Sequence, residues 1–412
     1  MELNRATLAN GLRVLHVPVD DSQMVYVNLL YGVGARNESF EYTGIAHLLE
    51  HLMFEGTKAV PSFDEPLESA GGENNAYTNN DVTNYYISLP KQNAELAFWM
   101  ESDRMCNLTF EKGKVDVQRQ VVMEEFKQTT LNKPYGDVSM ILRAMAFKQH
   151  PYRWSTIGRK LSHIADVPVS VIRKFYKTYY APDNAVLAVV GNISFEKVME
   201  WSEKWFGCIP AKGFVKPQLS VEPRQVRQRR KVVHRNVPEN ALYMGFHMGS
   251  RLSADYYPCD VISDVLSNGY SGRLMLRLVR EQKLFSKIDA FISGSEDAGM
   301  FWIYSRVAPG VRVEDAEAAL WRELDALKQE LVPREELEKV RNRFESEFTF
   351  RNIGGENLSN NLALACLRGD IDSHMCEPER YRAVTAHQVQ AAAKELFRRG
   401  NSSVLYYLKA EK

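Results

Sequence analysis

The stretch GIAHLLEHLMFEGT, Gly44–Thr57, contains two histidines and a glutamate at helical spacing. Residues four apart on an α-helix lie about 40° apart on one face, so His47 and His51 direct two imidazoles at one point. Two imidazoles presented in this way are a common arrangement for binding zinc. Glu50 lies on the flank of the same face, where it can act as a base without being a ligand. The stretch therefore predicts a helix that carries part of a metal site.

A catalytic zinc site has three protein ligands and keeps one position open. The segment VVMEEF, Val121–Phe126, supplies a candidate third ligand in two adjacent acids, Glu124 and Glu125. Neighbouring residues on a helix point in different directions, and spacing alone does not choose between the two.

The order H-x-x-E-H of residues 47–51, the reverse of the common H-E-x-x-H motif, is typical of inverzincin peptidases. The alternative is a helix whose histidines have only structural partners.

Composition places the chain among ordinary folded proteins. It has 412 residues, too many for one hydrophobic core, so two or more domains are expected. Lys plus Arg is 52 and Asp plus Glu is 52, which argues against a basic nucleic-acid binder. No apolar run is long enough for a membrane span. We therefore expect no nucleic-acid partner and no membrane partner.

The N-terminus and the cysteines bear on the compartment. Charges interrupt the first residues, MELNRATLANGLRVLHV, which is unlike a secretory signal. The five cysteines are scattered without C-x-x-C spacing, which argues against a disulfide framework and against a thiolate metal cluster. We expect free, mostly buried thiols and a cytoplasmic protein. A periplasmic or exported form remains the alternative if a signal peptide has been removed.

Hydrophobic patterns predict a similar order of strands and helices in two halves of the chain. In the first half, the predicted strands are 12–17, 25–31, 84–89 and 185–190, and the predicted helices follow Thr43 and Pro168 and cover 94–105, 115–127 and 138–147. In the second half, strands are predicted at 241–248, 299–307 and 403–408, and helices at 256–266, 333–350 and 385–398. This order predicts layered α/β or α+β domains, present twice.

The segment 207–231 separates the two halves. Prolines and glycines break any regular element there, and a basic run, Arg224–Lys231, follows. We interpret 1–206 as an N-terminal zinc-binding catalytic domain, 207–231 as a linker and 232–412 as a similar C-terminal domain without metal. A site for nucleic acid or an acidic partner in the basic run is the less favoured alternative.

Several segments resemble the pitrilysin family of zinc metallopeptidases, which includes insulin-degrading enzyme and mitochondrial processing peptidase. Gly44–Thr57 resembles the active-site helix of that family. The resemblance continues through GGENNAYTNNDVTNYYISLP (Gly71–Pro90), VDVQRQVVMEEFKQ (Val115–Gln128), HPYRWSTIG (His150–Gly158) and FYKTYYAPDNAVLAVVGNIS (Phe175–Ser194). It implies the half-size branch of the family and an α+β fold. Two homologous domains, each a mainly antiparallel sheet packed against helices, would form one half of a clamshell.

The resemblance also implies roles for single residues. His47 and His51 match the histidine ligands of one Zn²⁺ per chain, and Glu50 matches the general base. Glu125 matches the third ligand. Asn75 and Ala76 match the edge strand that hydrogen-bonds the peptide substrate.

Two positions depart from the family pattern. Members usually have a glutamate seven residues before the third ligand, a position that supports the metal site and is Gln118 here. Active relatives also carry an arginine and, seven residues later, a tyrosine that hold the substrate. Arg280 matches the arginine, but the tyrosine position falls on Lys287 or Ser286.

These features predict a zinc-dependent endopeptidase that hydrolyses peptides or unfolded polypeptides, held as an added strand in a chamber formed by a dimer. The missing tyrosine suggests a heterodimer with a related subunit that supplies the arginine–tyrosine pair. A homodimer that uses Arg280 of both copies is the competing arrangement. The alternative function is a non-catalytic pseudo-peptidase, an assembly subunit of a related complex.

Overall fold

The structure is a computed structural model that describes residues 2–410, and the chain divides into two compact units. The first unit comprises Met1–Phe126, Trp154–Leu219 and Thr349–Met375, and the second comprises Lys127–Arg153, Ser220–Phe348 and Cys376–Lys412. Each unit contains one β-sheet with helices packed against it. The predicted α+β fold class is confirmed.

The first unit has a six-stranded sheet. Its strands are β1 (Asn4–Thr7), β2 (Arg13–Pro18), β3 (Met24–Tyr31), β4 (Glu73–Thr78), β5 (Thr83–Pro90) and β6 (Ala185–Gly191). Their order is β1-β2-β6-β3-β5-β4, with β2 and β6 parallel and the other neighbours antiparallel. Every residue of β6 is buried, as its apolar sequence AVLAVVG requires of a central strand. In this sheet β4 is an edge strand.

The second unit has a five-stranded sheet of closely similar topology. Its strands are β7 (Arg229–Arg235), β8 (Ala241–His247), β9 (Phe285–Ile292), β10 (Met300–Val307) and β11 (Ser402–Lys409). Their order is β7-β11-β8-β10-β9, with β7 and β11 parallel and the other neighbours antiparallel. The one parallel pair and the edge strand occupy corresponding places in both sheets. The predicted repetition of elements is confirmed.

Fifteen α-helices lie within the described residues. In the first half of the chain they are α1 (Ile45–Leu52), α2 (Asp64–Ser69), α3 (Glu95–Asn107), α4 (Lys112–Phe126), α5 (Val138–Ala146), α6 (Leu161–Ala165), α7 (Val169–Tyr179) and α8 (Phe195–Phe206). In the second half they are α9 (Tyr256–Ser267), α10 (Val313–Gln329), α11 (Arg334–Arg351), α12 (Gly355–Arg368), α13 (Ile371–Met375), α14 (Glu377–Ala383) and α15 (Ala386–Leu396). Five-residue and seven-residue π-helical segments occur at Lys127–Leu131 and Met275–Glu281.

Two helices pack on the sheet that the other half of the sequence forms. Helix α12 contacts β3 and β6 in the first unit, whereas α5 contacts β8 and β11 in the second. Leu358 and Leu362 of α12 join the core around Leu15 and Val186, and Leu142 of α5 packs in the second unit. The compact units are therefore discontinuous in sequence. The boundaries 1–206, 207–231 and 232–412, which describe two similar halves, stay a prediction.

Two arginines of the basic run, Arg229 and Arg230, have partners within the second unit. Strand β7 begins at Arg229, inside the segment interpreted as a linker. Arg229 donates to the carbonyl of Met145 at 2.7 Å, and Arg230 pairs with Glu317 at the same distance. These contacts hold the end of the segment against the fold, because a guanidinium offers several donors in fixed geometry.

The cysteines differ from expectation. Only Cys259 is buried, whereas Cys106, Cys208 and Cys376 are exposed, so the prediction of mostly buried thiols is wrong. The reason is position, since Cys106 lies in the last turn of α3 and the other two lie just outside helices. Among the described residues, no helix is both long and apolar enough to cross a bilayer.

Candidate metal centre

Helix α1 lies with its apolar side in the core of the first unit. Ile45, Leu48, Leu49 and Leu52 are buried, at most 3% exposed. Because these leucines follow helical periodicity, the polar residues of the same helix share the opposite face. Burial of one face thus fixes the direction in which the histidines point.

The buried side chain of Glu38 holds the start of α1. Glu38 accepts hydrogen bonds from the backbone N–H groups of Gly44 and Ala46, both at 2.9 Å. Free N–H groups at a helix start favour such an acceptor. Burial raises the pKa of Glu38 to about 8, although the two backbone hydrogen bonds oppose that shift. The orientation of α1 therefore depends on an acid outside the quoted motif.

His47, His51 and Glu125 converge at one point. The Nε2 atoms of both histidines lie 3.6 Å from the same Glu125 oxygen, Oε2. Among the described residues, these three form the one group of His, Cys, Asp and Glu side chains whose ligand atoms lie within 4.8 Å of one another. Helix α4 carries Glu125 and packs against α1.

The donor set suits zinc. Two ligands that are about 2.0–2.2 Å from a tetrahedral zinc lie about 3.4 Å from each other, close to the observed 3.6 Å. Two nitrogens and one carboxylate oxygen also match the ligand set of known hydrolytic zinc sites. The geometry separates Glu125 from Glu124, a choice that spacing alone left open.

Burial and charge act differently on the three side chains. Burial lowers the pKa of His47 to about 4, so this imidazole is neutral at neutral pH and its ring nitrogen can bind a metal. His51 is more exposed, at 24% against 14% for His47. Although burial lowers the pKa of His51, its contacts with Glu125 and Glu50 raise the pKa more. Contact with His51 lowers the pKa of Glu125 and favours the carboxylate form.

Glu50 is fixed by a neighbouring strand. The hydroxyl of Thr78, the last residue of β4, donates a hydrogen bond to Oε2 of Glu50. Burial raises the pKa of Glu50, partly offset by this hydrogen bond. A carboxylate with a raised pKa is suited to accept a proton near neutral pH.

The edge strand β4 passes beside the helix that carries the histidines. Asn75 is exposed on this strand, and its side-chain oxygen accepts a hydrogen bond from the N–H of Ala76 at 2.8 Å. An unpaired strand edge can bind an extended peptide through main-chain hydrogen bonds. The structure therefore brings Asn75 and Ala76 to the side of the candidate metal site.

Gln118 lies between His51 of the candidate metal site and the carboxylate of Glu55. Its Oε1 is 3.2 Å from Nδ1 of His51, and its Nε2 donates to the carboxylate of Glu55.

Arg280, the residue predicted to contact substrate, belongs to the second unit. Its guanidinium lies 5.3 Å from the centre of the Tyr270 ring.

Three residues that support the site went unassigned at the sequence level. Glu38, Glu55 and Thr78 contact α1, Gln118 and Glu50 respectively. Glu55 and Thr78 lie within the quoted motifs, so their neighbourhood was a usable signal. Glu38 offered none, because its contact with α1 depends on how the preceding turn folds.

Two family models match the chain. The model described as Insulinase (Peptidase family M16) matches residues 13–160, and the model described as Peptidase M16 inactive domain matches residues 166–344. All four of His47, Glu50, His51 and Glu125 lie within the first match. The word "inactive" therefore concerns a region outside the candidate metal site.

Similar proteins from two bacteria are named zinc proteases. The zinc protease PqqE of Helicobacter pylori is 29% identical over 407 residues, which cover 97% of this chain and 91% of that protein. The uncharacterized zinc protease YmxG of Bacillus subtilis is 27% identical over 342 residues, which cover 82% of this chain and 81% of that protein.

Solved structures are similar to this chain over nearly its whole length. The crystal structure of a protease from Helicobacter pylori has a TM-score of 0.93 at 28% identity and covers 98% of this chain and 99% of that chain. Pitrilysin has a TM-score of 0.81 at 19% identity, covering 99% of this chain but 45% of the pitrilysin chain. The latter likeness shows the fold alone, and this chain corresponds in length to about half of pitrilysin.

Proposed function

Because the chain belongs to peptidase family M16, we propose that it is a zinc-dependent endopeptidase that hydrolyses peptides or unfolded polypeptides. The observation that carries the proposal is the convergence of His47, His51 and Glu125 beside Glu50. His47, His51 and Glu125 would hold one zinc ion per chain. Relatives named zinc proteases support this metal.

Each residue of the site has a role in hydrolysis. When bound, zinc polarises the scissile carbonyl and lowers the pKa of water toward neutrality. Glu50 takes the proton of the attacking water and then delivers it to the leaving amine nitrogen. Thr78 holds the carboxylate of Glu50 in one orientation through its hydrogen bond.

Substrate binding is proposed at the edge of the first sheet. A peptide added alongside β4 would pair with its main chain near Asn75 and Ala76, and this pairing requires an extended substrate but no particular sequence. That requirement favours unfolded polypeptides over folded proteins. Arg280 is proposed to contact substrate from a second-unit surface, in this chain or in a dimer partner.

A second M16 unit is proposed as partner. This chain covers only 45% of pitrilysin, so the longer protein has the length of two such units. The partner would be either a second copy, with Arg280 of both copies contacting substrate, or a related subunit that supplies both the arginine and the tyrosine that this chain does not pair with Arg280. Light scattering and native mass spectrometry distinguish these arrangements, since a stable, active homodimer contradicts the need for a different subunit.

The test of the proposed function is hydrolysis of a quenched, unstructured peptide by the purified chain, with and without a zinc chelator. We expect cleavage that the chelator abolishes and that added zinc restores. Cleavage unaffected by the chelator would contradict a zinc mechanism. Zinc-loaded chain that cleaves no peptide by itself would contradict a self-sufficient peptidase. Cleavage that appears after addition of a related M16 subunit would then indicate a heterodimeric peptidase, and continued inactivity would favour the non-catalytic assembly subunit.

A further inference from the structure

His51, Gln118 and Glu55 form a continuous hydrogen-bonded chain that leads away from the candidate metal site. We propose that Glu55, acting through the amide of Gln118, selects the tautomer of His51 that binds zinc and replaces the charge that Gln118 lacks. Glu55 is thus a positioning residue, not a ligand. The inference rests on the proposed zinc function and adds to it a residue that the motif does not assign.

The carboxylate of Glu55 fixes which way the Gln118 amide points. A carboxylate only accepts hydrogen bonds, so the amide group that faces it must be the NH₂ group, as observed. The other end of the amide, Oε1, then faces Nδ1 of His51 at 3.2 Å. The orientation of Gln118 therefore follows from the presence of an acid at position 55.

The orientation of the amide in turn fixes the imidazole. An amide oxygen is an acceptor, so Nδ1 of His51 must carry the hydrogen and donate it. In the neutral ring, Nε2 then keeps its lone pair, and Nε2 is the atom that faces Glu125. Hydrogen bonding at the far nitrogen is how proteins orient histidine ligands.

Without the acid at position 55, a glutamine at 118 is ambiguous. Its amide could turn by about 180° and present NH₂ to Nδ1, which would favour the tautomer with hydrogen on Nε2. That tautomer cannot bind a metal through Nε2. By contrast, Nδ1 of His47 is buried without a hydrogen-bond partner among the described residues. The hydrogen bonds from Glu55 through Gln118 therefore orient His51 and not His47.

The segment after α1 is itself held in place. Lys114, four residues before Gln118 on the same helix, donates to the main-chain carbonyl of Glu55. The carboxylate of Glu55 and its backbone are thus both attached to α4. This double contact places the negative charge beside Gln118, where a glutamate at position 118 would carry it directly.

The experiment measures zinc affinity by competition with a chelator, without substrate. The four proteins are the unaltered chain, Glu55→Gln, Gln118→Glu and the double variant, and Glu68→Gln is the control because Glu68 is an exposed acid of the same unit. We expect Glu55→Gln to weaken zinc binding about 10-fold, as loss of a supporting partner typically does. The double variant should recover the lost affinity, since a carboxylate at 118 accepts from His51 directly.

Two results would overturn the inference. One is zinc binding by Glu55→Gln that equals that of Glu68→Gln. The other is a double variant that binds zinc as weakly as Glu55→Gln does, which would mean that the loss of negative charge beside His51 does not explain the weaker binding. If Glu55→Gln fails to fold by circular dichroism, Gln118→Leu removes the same connection and must show the same weakening. An unaltered chain that binds no zinc would instead contradict the proposed function itself.

Discussion

The hydroxyl of Thr78 donates a hydrogen bond to Oε2 of Glu50, so the last residue of an edge strand holds the proposed general base. Oγ1 of Thr78 also lies 3.4 Å from the hydroxyl oxygen of Thr83, and Thr83 donates its own hydrogen to the Val33 carbonyl at 2.9 Å. Thr83 can therefore only accept from Thr78. The hydroxyl of Thr78 can turn to Thr83 when Glu50 holds a proton, which suits both states of the base.

Replacing Thr78 by valine should slow turnover without removing the metal. Loss of one hydrogen bond to a charged group, worth about 1.5–3 kcal/mol, predicts a kcat at least about tenfold lower. Thr78→Ser keeps the hydroxyl and should retain most of the activity. Steady-state kinetics with zinc analysis of each variant provide the test, with the exposed Thr178→Val as control. A kcat for Thr78→Val equal to that of Thr78→Ser would refute the role.

Replacing His51 by alanine should abolish tight zinc binding, because it removes one of the three proposed ligands. His234→Ala is the matched control, since His234 is exposed on a strand of the second unit. Metal content after dialysis is the measurement. Full zinc retention in His51→Ala would show that the zinc binds elsewhere in the protein.

Stability should decline with rising pH through Glu38. Burial raises the pKa of Glu38 to about 8 in the folded protein, whereas an unfolded glutamate titrates near 4.3. Between these values the folded state keeps a proton that the unfolded state has lost. The contribution of Glu38 to the free energy of unfolding therefore falls as pH rises, by up to about 1.4 kcal/mol per pH unit.

Glu38→Gln removes this titration but keeps a carbonyl acceptor for the start of α1. The difference in unfolding free energy between the two proteins, measured in urea from pH 5 to pH 8, should shift steadily in favour of the variant as pH rises. A difference that does not change with pH would contradict a raised pKa at Glu38.

The buried pair Glu101–Arg104 should be essential for the stability of the first unit. Both side chains are at most 1% exposed, and Nε of Arg104 donates to Glu101 at 2.8 Å. The guanidinium also lies 4.2 Å from the ring centres of Phe63 and Tyr85. Removing one partner leaves a buried charge, so Glu101→Ala should cost about 3–5 kcal/mol.

Denaturant unfolding of Glu101→Ala, with Glu200→Ala as control, measures that cost. Glu200 pairs with Lys197 in an exposed position, where an ion pair contributes about 1 kcal/mol or less. Equal effects of the two substitutions would contradict the importance of the buried pair.

Local patterns predicted much of the fold. The helix with His47, Glu50 and His51 could be predicted because its leucines and its polar residues both follow helical spacing. The strands β3, β5, β6, β8, β10 and β11 lie within a few residues of their predicted bounds. The placement of α12 on the first sheet could not be predicted, because periodicity shows that a helix has an apolar face but not which sheet covers it.

The candidate site, like the fold, could be predicted from the sequence only in part. Spacing identified two of the converging side chains, whereas the choice of Glu125 over Glu124 required either the resemblance or the direction of α4. Glu38 and Glu55 act through contacts between separate segments, which a sequence pattern does not contain. Glu38 gave no sign in the sequence that it supports α1, and Glu55, although it lies within the quoted motif, gave no sign that its partner is Gln118.

The most direct test of the zinc-peptidase proposal compares the unaltered chain with Glu50→Gln for both zinc content and peptide hydrolysis. Glutamine preserves the shape of the side chain but cannot accept the proton, so the variant should keep zinc and lose turnover. Hydrolysis by Glu50→Gln at the rate of the unaltered chain would contradict the assignment of Glu50 and the mechanism built on it.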